Sequence, residues 1–341
     1  MPTRAVTHDP RGRRSLNRWW LKAMAQGGLA ALPGAHRIDD QLRRRLRRPY
    51  LTEAYALGKW RHVEQHLAAL HRRPGEDVGD TRVLELGTGW FPLVPLGLAL
   101  HGATVLTLDK AKHLDAQRVR LSMQVLHDLL TSGRLAAASP QRVAVLQELL
   151  ADNRERSAAQ LLAPLGVRAR IGDAQDLSAV PDASGAQLLV SNNTLEHIPA
   201  EVLRGIFAAF HRVGTSDARM SHYIDLADHY AGFDPRITEF HFLTLSPGRW
   251  RLANNALAYQ NRLRISDYRR LLRESGWLVT GQQLTTRKAR QVEGLDLVPP
   301  YDQLTSEDLL VVKAHLVADR RAGSVHPPVH PPEASAADLA E

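Results

Sequence analysis

A Rossmann-like α/β fold on a parallel sheet is predicted by three features of this sequence. The apolar run Val83-Leu84-Glu85-Leu86 feeds straight into the glycine turn Gly87-Thr88-Gly89. A second apolar run, Val105-Leu106-Thr107-Leu108, ends on Asp109, an acidic residue about twenty positions further on, the separation that marks a nucleotide-type ligand across two parallel strand ends. Beyond these, short apolar runs alternate with amphipathic stretches, the pattern of repeated βα units.

The elements follow in order. Residues 1–80 read as helical, with breaks at Pro33-Gly34 and Pro74-Gly75. Leu51, Ala54, Leu57, Trp60 and residues 66–70 form an apolar face, so this region is expected to be an N-terminal helical cap. Residues 82–87, 93–101 and 104–109 give strand, helix and strand, one βαβ unit. A long helical insertion over about 113–164, broken at Ser139-Pro140, precedes a third strand at 167–172 and a fourth at 187–190. A helix over 199–212 and a strand over 220–226 come next. Residues 227–262 are aromatic and polar without clear period, as expected of a lid over a substrate. A helix at 266–275 opens on Ser266-Asp267 and stops at Gly276, and strands near 277–283 and 308–317 complete the sheet. One domain is thus expected over 81–320, with a disordered, proline-containing tail at 321–341.

Composition narrows the function. A 44% apolar content supports a sizeable core, and the absence of cysteine excludes disulfides, thiolate metal sites and a cysteine nucleophile. No apolar run reaches the roughly 18–20 residues of a membrane span, and no signal-peptide core is present, so a cytoplasmic protein is the simplest expectation. The net charge of +8 is concentrated in arginine: Arg11, Arg13, Arg14 and Arg18, then Arg43, Arg44, Arg45, Arg47 and Arg48. The bland account is arginine replacing lysine in an Ala- and Leu-rich proteome. Nucleic acid, an acidic carrier protein and peripheral contact with a membrane surface are the alternatives, and no RNA-binding module supports the first.

Four motifs in order carry a resemblance to class I S-adenosylmethionine (SAM)-dependent methyltransferases, over roughly residues 80–320. They are Glu85-Leu86-Gly87-Thr88-Gly89, Asp109 at the end of the second strand, Gly172-Asp173-Ala174-Gln175-Asp176 after the third, and Ser191-Asn192-Asn193-Thr194-Leu195-Glu196-His197-Ile198 after the fourth. The resemblance implies a seven-stranded methyltransferase sheet with SAM as cofactor. It implies that Gly87, Thr88 and Gly89 pass close to the methionine part of SAM, and that Glu85 faces its ammonium. Asp109 would take both ribose hydroxyls, Asp173 with Ala174 the adenine, and Asn192 and Asn193 the methionine end. Asp176 competes with Asp173, which is preferred because it follows the strand directly.

The chain departs from the family at Trp90, where a third glycine is usual, followed by Phe91 and Pro92. These shape the floor of a pocket or simply pack. Proline at 92 also weakens a dehydrogenase reading, which wants Gly-x-Gly-x-x-Gly. No Asn-Pro-Pro-Tyr or Asp-Pro-Pro-Tyr follows the fourth strand, against a base-amino methyltransferase.

Methyl transfer to oxygen or nitrogen needs alignment and a proton acceptor. His229 is the first candidate for that base, with Asp228 or Asp225 orienting its imidazole, and His197 is the second. The competing reading is a hydrogen-bond network that holds the insertion on the sheet, favoured for His222. The spacing of Asp225, Asp228 and His229 is no specific metal signature, so no metal is expected. Tyr230, Phe233, Phe240, His241, Phe242, Trp250 and Tyr259, with Asn254, Asn255 and Asn261, outline an acceptor pocket or pack the insertion, and Arg262 or Arg264 could bind an acceptor carboxylate or phosphate. The expected function is O-methylation of a small organic acceptor. The alternatives are an RNA or protein methyltransferase that docks through the basic N-terminus, and a SAM-binding protein without catalysis.

Overall fold

The parallel pairing of the first strand on both of its edges sets the architecture. In the computed structural model, which describes residues 18–30, 32, 51–70 and 78–321, strand β1 (Arg82–Leu86) lies between β2 (Thr104–Asp109) and β4 (Ala186–Asn192). A strand buried this way has no solvent face, which is why its run is apolar rather than alternating. β3 (Val167–Ile171) adds beside β2, and β5 (Gly214–Asp225) beside β4, both parallel. The seven-stranded order is β3-β2-β1-β4-β5-β7-β6, with β6 at Trp277–Thr286 and β7 at Val311–Arg320. β7 runs antiparallel to both neighbours. Its start meets the ends of β5 and β6 through Leu226 N–H to Val312 O and Arg287 N–H to Leu310 O, and Arg321 N–H reaches Gly276 O at the other end. This is the Rossmann-like seven-stranded sheet expected from the sequence.

The chain forms two compact units. Among the described residues, the larger contains 51–70, 78–224, 265–284 and 314–321, and the smaller contains 18–30, 32, 225–264 and 285–313. Among the described residues before β1, 51–70 and 78–80 thus belong with the sheet, and 18–30 and 32 with the insertion after β5.

In the larger unit, helices α2 (Glu53–Ala68) and α3 (Leu93–Leu100) pack together on the sheet. Thr52 caps α2 by accepting from Tyr55 N–H at 3.2 Å. Ala56, Trp60, Val63 and Leu67 make its buried stripe at helical spacing. A Cβ at Gly97 would stand 2.6 Å from a Val63 methyl, so glycine sets the distance between these helices. The helical insertion resolves into α4 (Ala116–Thr131), α5 (Pro140–Ala151) and α6 (Ala158–Leu162), with Pro140 at the first turn of α5 as its break implied. Helix α7 (Ala200–Val213) buries Leu203, Ile206, Phe207 and Phe210. β5 starts six residues before the expected 220, because Gly214–Arg219 is polar and partly exposed, with no apolar alternation to mark it. Helix α9 (Ile265–Glu274) follows, and the Trp277 indole then donates to Phe207 O at 3.0 Å.

In the smaller unit, helices α1 (Trp19–Ala30) and α8 (Pro247–Ala253) and the short α10 (Ser306–Leu309) surround a core of Tyr230, Phe240, Phe242, Leu243 and Trp250. The aromatics of the expected acceptor pocket thus mainly pack this core. Asp234 accepts from Trp19 N–H at 3.0 Å, placing a carboxylate at the amino end of α1. The arginine clusters at 11–14 and 43–48, and the tail from 322, lie outside the described residues.

Arg264 is not available to an acceptor. It is 1% exposed, and its guanidinium donates to Leu226 O and Leu309 O, each at 2.8 Å, and to Val311 O. Arg262 likewise donates to Phe242 O and Leu245 O, at 3.0 and 2.5 Å. Both arginines satisfy carbonyls that irregular backbone leaves over. Arg264→Met keeps the side-chain length but orphans three buried carbonyls, so it should lower unfolding free energy by about 3 kcal/mol or more, read from urea denaturation followed by circular dichroism.

Candidate functional site

The carboxyl ends of β1, β2 and β4 come level, since Leu86 stands opposite Leu108 on one side and Ser191 on the other. Here the chain direction around the sheet reverses, opening a crevice at the strand ends. Gly87 has φ +84° and Gly89 φ +65°, a backbone that side chains resist. Gly87 N–H donates to Leu108 O at 2.8 Å, and a Cβ at Gly87 would collide with the Thr194 side chain at 2.3 Å. Gly89 instead faces open space, with no heavy atom within 4 Å of a Cβ built there. Its N–H donates to Asp109 Oδ2 at 3.1 Å, while Asp109 Oδ1 accepts from Ala111 N–H at 3.2 Å. The first two sequence motifs are therefore one hydrogen-bonded structure.

Glu85 is 2% exposed and accepts from the Thr107 hydroxyl at 2.7 Å, and Thr107 in turn pairs with the Thr88 hydroxyl. Burial pushes the Glu85 carboxyl up to about 8, against the Thr107 hydrogen bond and the positive charge of Lys59. Trp90, where a third glycine was expected, lies under the Arg118 guanidinium at 4.0 Å and beside the His113 ring at 5.2 Å. His113 Nε2 is 3.7 Å from Asp109 Oδ1, so Trp90 packs against the loop that follows β2.

Asp173 and Asp176 both lie exposed after β3. Asp173 accepts from Gln175 N–H at 2.9 Å. Asp176 accepts from the N–H and hydroxyl of Ser178, which hold its carboxyl below the usual range. Ala174 is buried between them.

The structure adds a set of residues that the sequence reading did not connect. Tyr55, Lys59, His62 and His66 recur on α2 at helical spacing, on the face that flanks its apolar stripe. Lys59 Nζ donates to Asn193 Oδ1 at 3.0 Å, and Asn193 takes the left-handed conformation at φ +55°. The Asn192 side-chain oxygen sits 2.9 Å from His62 Nδ1 and 3.2 Å from His66 Nε2. His66 Nδ1 continues to Ser221 Oγ at 2.7 Å, and Ser221 Oγ to His315 Nε2 at 2.8 Å.

Parallel register puts Tyr223 opposite Asn192. Its ring is stacked between His62 and His315, at 3.7 and 4.4 Å and with 6° between planes in each case. Two buried groups in this cluster, the Tyr223 hydroxyl and Asn192 Nδ2, have no hydrogen-bond partner among the described residues. His222 points to the other face, to Ser191 Oγ at 2.9 Å, and packs on Phe207 and Phe210 rather than on the insertion. The signal for this cluster was present in the sequence as a polar stripe at i, i+4, i+7 and i+11. It was hidden because the same helix was read for its apolar face alone.

His197 ends a 3₁₀ turn after β4 and is exposed. In the smaller unit His229 is exposed, and its N–H donates to Gln260 Oε1 at 3.2 Å. The Asp228 carboxylate turns inward and is buried. Its Oδ1 accepts from Tyr230 N–H at 2.8 Å and its Oδ2 faces His241 Nδ1 at 3.3 Å, so the imidazole it meets belongs to His241. The tight turn at Asp228–Tyr230 is what directs the carboxylate inward. Asp225 Oδ1 accepts from Ala227 N–H at 3.1 Å.

No protein-family model matches the chain, and no curated protein does. Solved structures do. Magnesium protoporphyrin IX methyltransferase from Synechocystis, solved with bound SAH, is 14% identical, with 88% of this chain and 99% of that one covered and a TM-score of 0.43. A SAM-dependent methyltransferase from Methanosarcina mazei is 13% identical, with 71% and 93% covered and a TM-score of 0.37. A TehB-like SAM-dependent methyltransferase from Corynebacterium glutamicum is 12% identical, with 76% and 87% covered and a TM-score of 0.37. Strand order and the geometry of the glycine turn carry the fold without them.

Burial holds His62 and His222 down to about 3 and His315 to about 4, and sets His66 well below the usual range. An unfolded imidazole titrates near 6.5. Between these values the unfolded chain binds more protons, so stability is lost as pH falls from about 6.5 towards 4. The urea midpoint should therefore drop between pH 7 and pH 4.5, and His315→Asn should flatten that dependence by about 1–3 kcal/mol in unfolding free energy.

Proposed function

We propose that this chain is a methyltransferase that moves a methyl group from SAM to a small organic acceptor, with oxygen the methylated atom. The observation that carries this reading is the joined glycine turn and Asp109 at the point where β1 and β4 diverge. Two features test the fit of the cofactor to the residues present. Space opens beside Gly89, and a buried Asn192 amide nitrogen lacks a partner among the described residues. Both suit a ligand running along the strand ends.

Asp109 would hold the ribose diol, since a carboxylate with two bonds from N–H groups keeps further acceptor capacity. Glu85 would hold the ammonium, and Lys59, placed against Asn193 and within electrostatic reach of Glu85, the carboxylate of the methionine moiety. Asp173 with Ala174 would hold adenine, and Asn192 and Asn193 the methionine end. When bound, SAM supplies a methyl group already activated on a sulfonium. The protein's contribution is then alignment of the acceptor and removal of its proton.

For the proton we retain His229, with its backbone fixed by Gln260, and His197 second.

Two measurements test this reading. Asp109→Ala should weaken SAM binding by at least tenfold in calorimetry, from the loss of charge-assisted hydrogen bonds to the diol, and unchanged affinity would remove the cofactor assignment. His229→Ala should leave SAM affinity within about twofold while slowing transfer of labelled methyl to cell-extract acceptors by roughly 10²-fold or more. Full retained transfer would remove His229 as the base.

A further inference from the structure

The smaller unit exposes an apolar face that its own packing does not explain. Helix α1 has one charged residue, Lys22, and is apolar nearly all round. It docks by one side: Trp19 packs on Tyr230 and His241 with ring centroids 5.9 and 4.7 Å apart, Ala23 is buried, and Asp234 holds the amino end. The opposite side carries Trp20, Leu21, Met24, Ala25 and Gly28, a continuous stripe at i, i+1, i+4, i+5 and i+8, and every one of these residues is exposed. Trp20 is 47%, Leu21 46% and Met24 68% exposed. Helix α8, which packs against α1, adds Leu252 at 83%. Of the nine large apolar side chains exposed among the described residues, five (Trp20, Leu21, Met24, Leu32 and Leu252) fall in this unit, so the exposure is concentrated here.

Charge identifies what covers the stripe. Neither α1 nor α8 has an acidic residue, and Arg18, Arg249 and Arg251 around them are exposed. The first fifty residues hold twelve Lys and Arg against three Asp and Glu, more than the whole net charge of +8. A second copy of the chain would bring a like-charged segment against this one, which disfavours self-association through the same face. We propose that the α1 stripe, with the basic residues beside it, seats the protein on the anionic surface of a lipid bilayer. Trp20, Leu21 and Met24 enter the interface and the arginines meet lipid headgroups. No helix among the described residues is long and apolar enough to cross a membrane, which agrees with a helix lying on the surface. The proposal does not depend on methyl transfer.

Flotation of the full chain with vesicles tests it, using phosphatidylcholine alone and phosphatidylcholine with about one third phosphatidylglycerol. Binding to the anionic vesicles, at least tenfold weaker on neutral ones and weaker again in high salt, is expected. Trp20→Ser with Met24→Ser should reduce anionic-vesicle binding by at least tenfold, with far-ultraviolet circular dichroism and SAM affinity unchanged to show that the fold survives. Arg249→Glu with Arg251→Glu should weaken it severalfold. Equal binding to both vesicle types, no binding, or binding undiminished in the serine variant would overturn the proposal. So would a native dimer that the serine variant turns into a monomer, which would assign the stripe to a second copy.

Discussion

The pairing of β1 with β2 on one edge and β4 on the other is the constraint from which the rest of the larger unit follows. It brings three carboxyl ends level, so the turn after β1 must reverse direction in a space shared with Asp109 and Thr194. Glycine at 87 is then a requirement of volume as well as of dihedral angle, because Thr194 fills the place of a side chain there. The two positions are far apart in sequence but share one small packing volume.

The next strand over extends the same logic. Because Asn192 and Tyr223 are opposite each other in register, the polar side of α2 meets both at once. Three imidazoles, one phenol ring and one amide then close over the ends of β4, β5 and β7. Keeping those imidazoles uncharged lets them stack and share hydrogen bonds in a buried place, where like charges would repel. The apolar side of the same helix grips α3, so one short segment joins the hydrophobic layer to the polar end of the sheet.

The sheet was legible because its signals are local. The runs at 82–86 and 104–109, the proline at 140 and the glycine at 276 each act over a few residues, and the elements they mark fell close to their expected places. The polar first half of β5 was not legible, since it pairs without an apolar face. Nor were the partners of acidic groups. Asp228 meets His241, thirteen residues away, because the turn at 228–230 aims its side chain inward. Arg262 and Arg264 read as candidate ligand groups in sequence, yet both donate to carbonyls of irregular backbone, a demand that only the folded chain reveals.

Glu85 has a further consequence. A buried carboxyl that keeps its proton near neutrality spares the strand end an unsolvated anion. A cation held within reach would favour the ionised form and so the release of that proton. Anything held there by its positive charge is thereby coupled to the acidity of its surroundings, even when its own groups titrate far from neutrality.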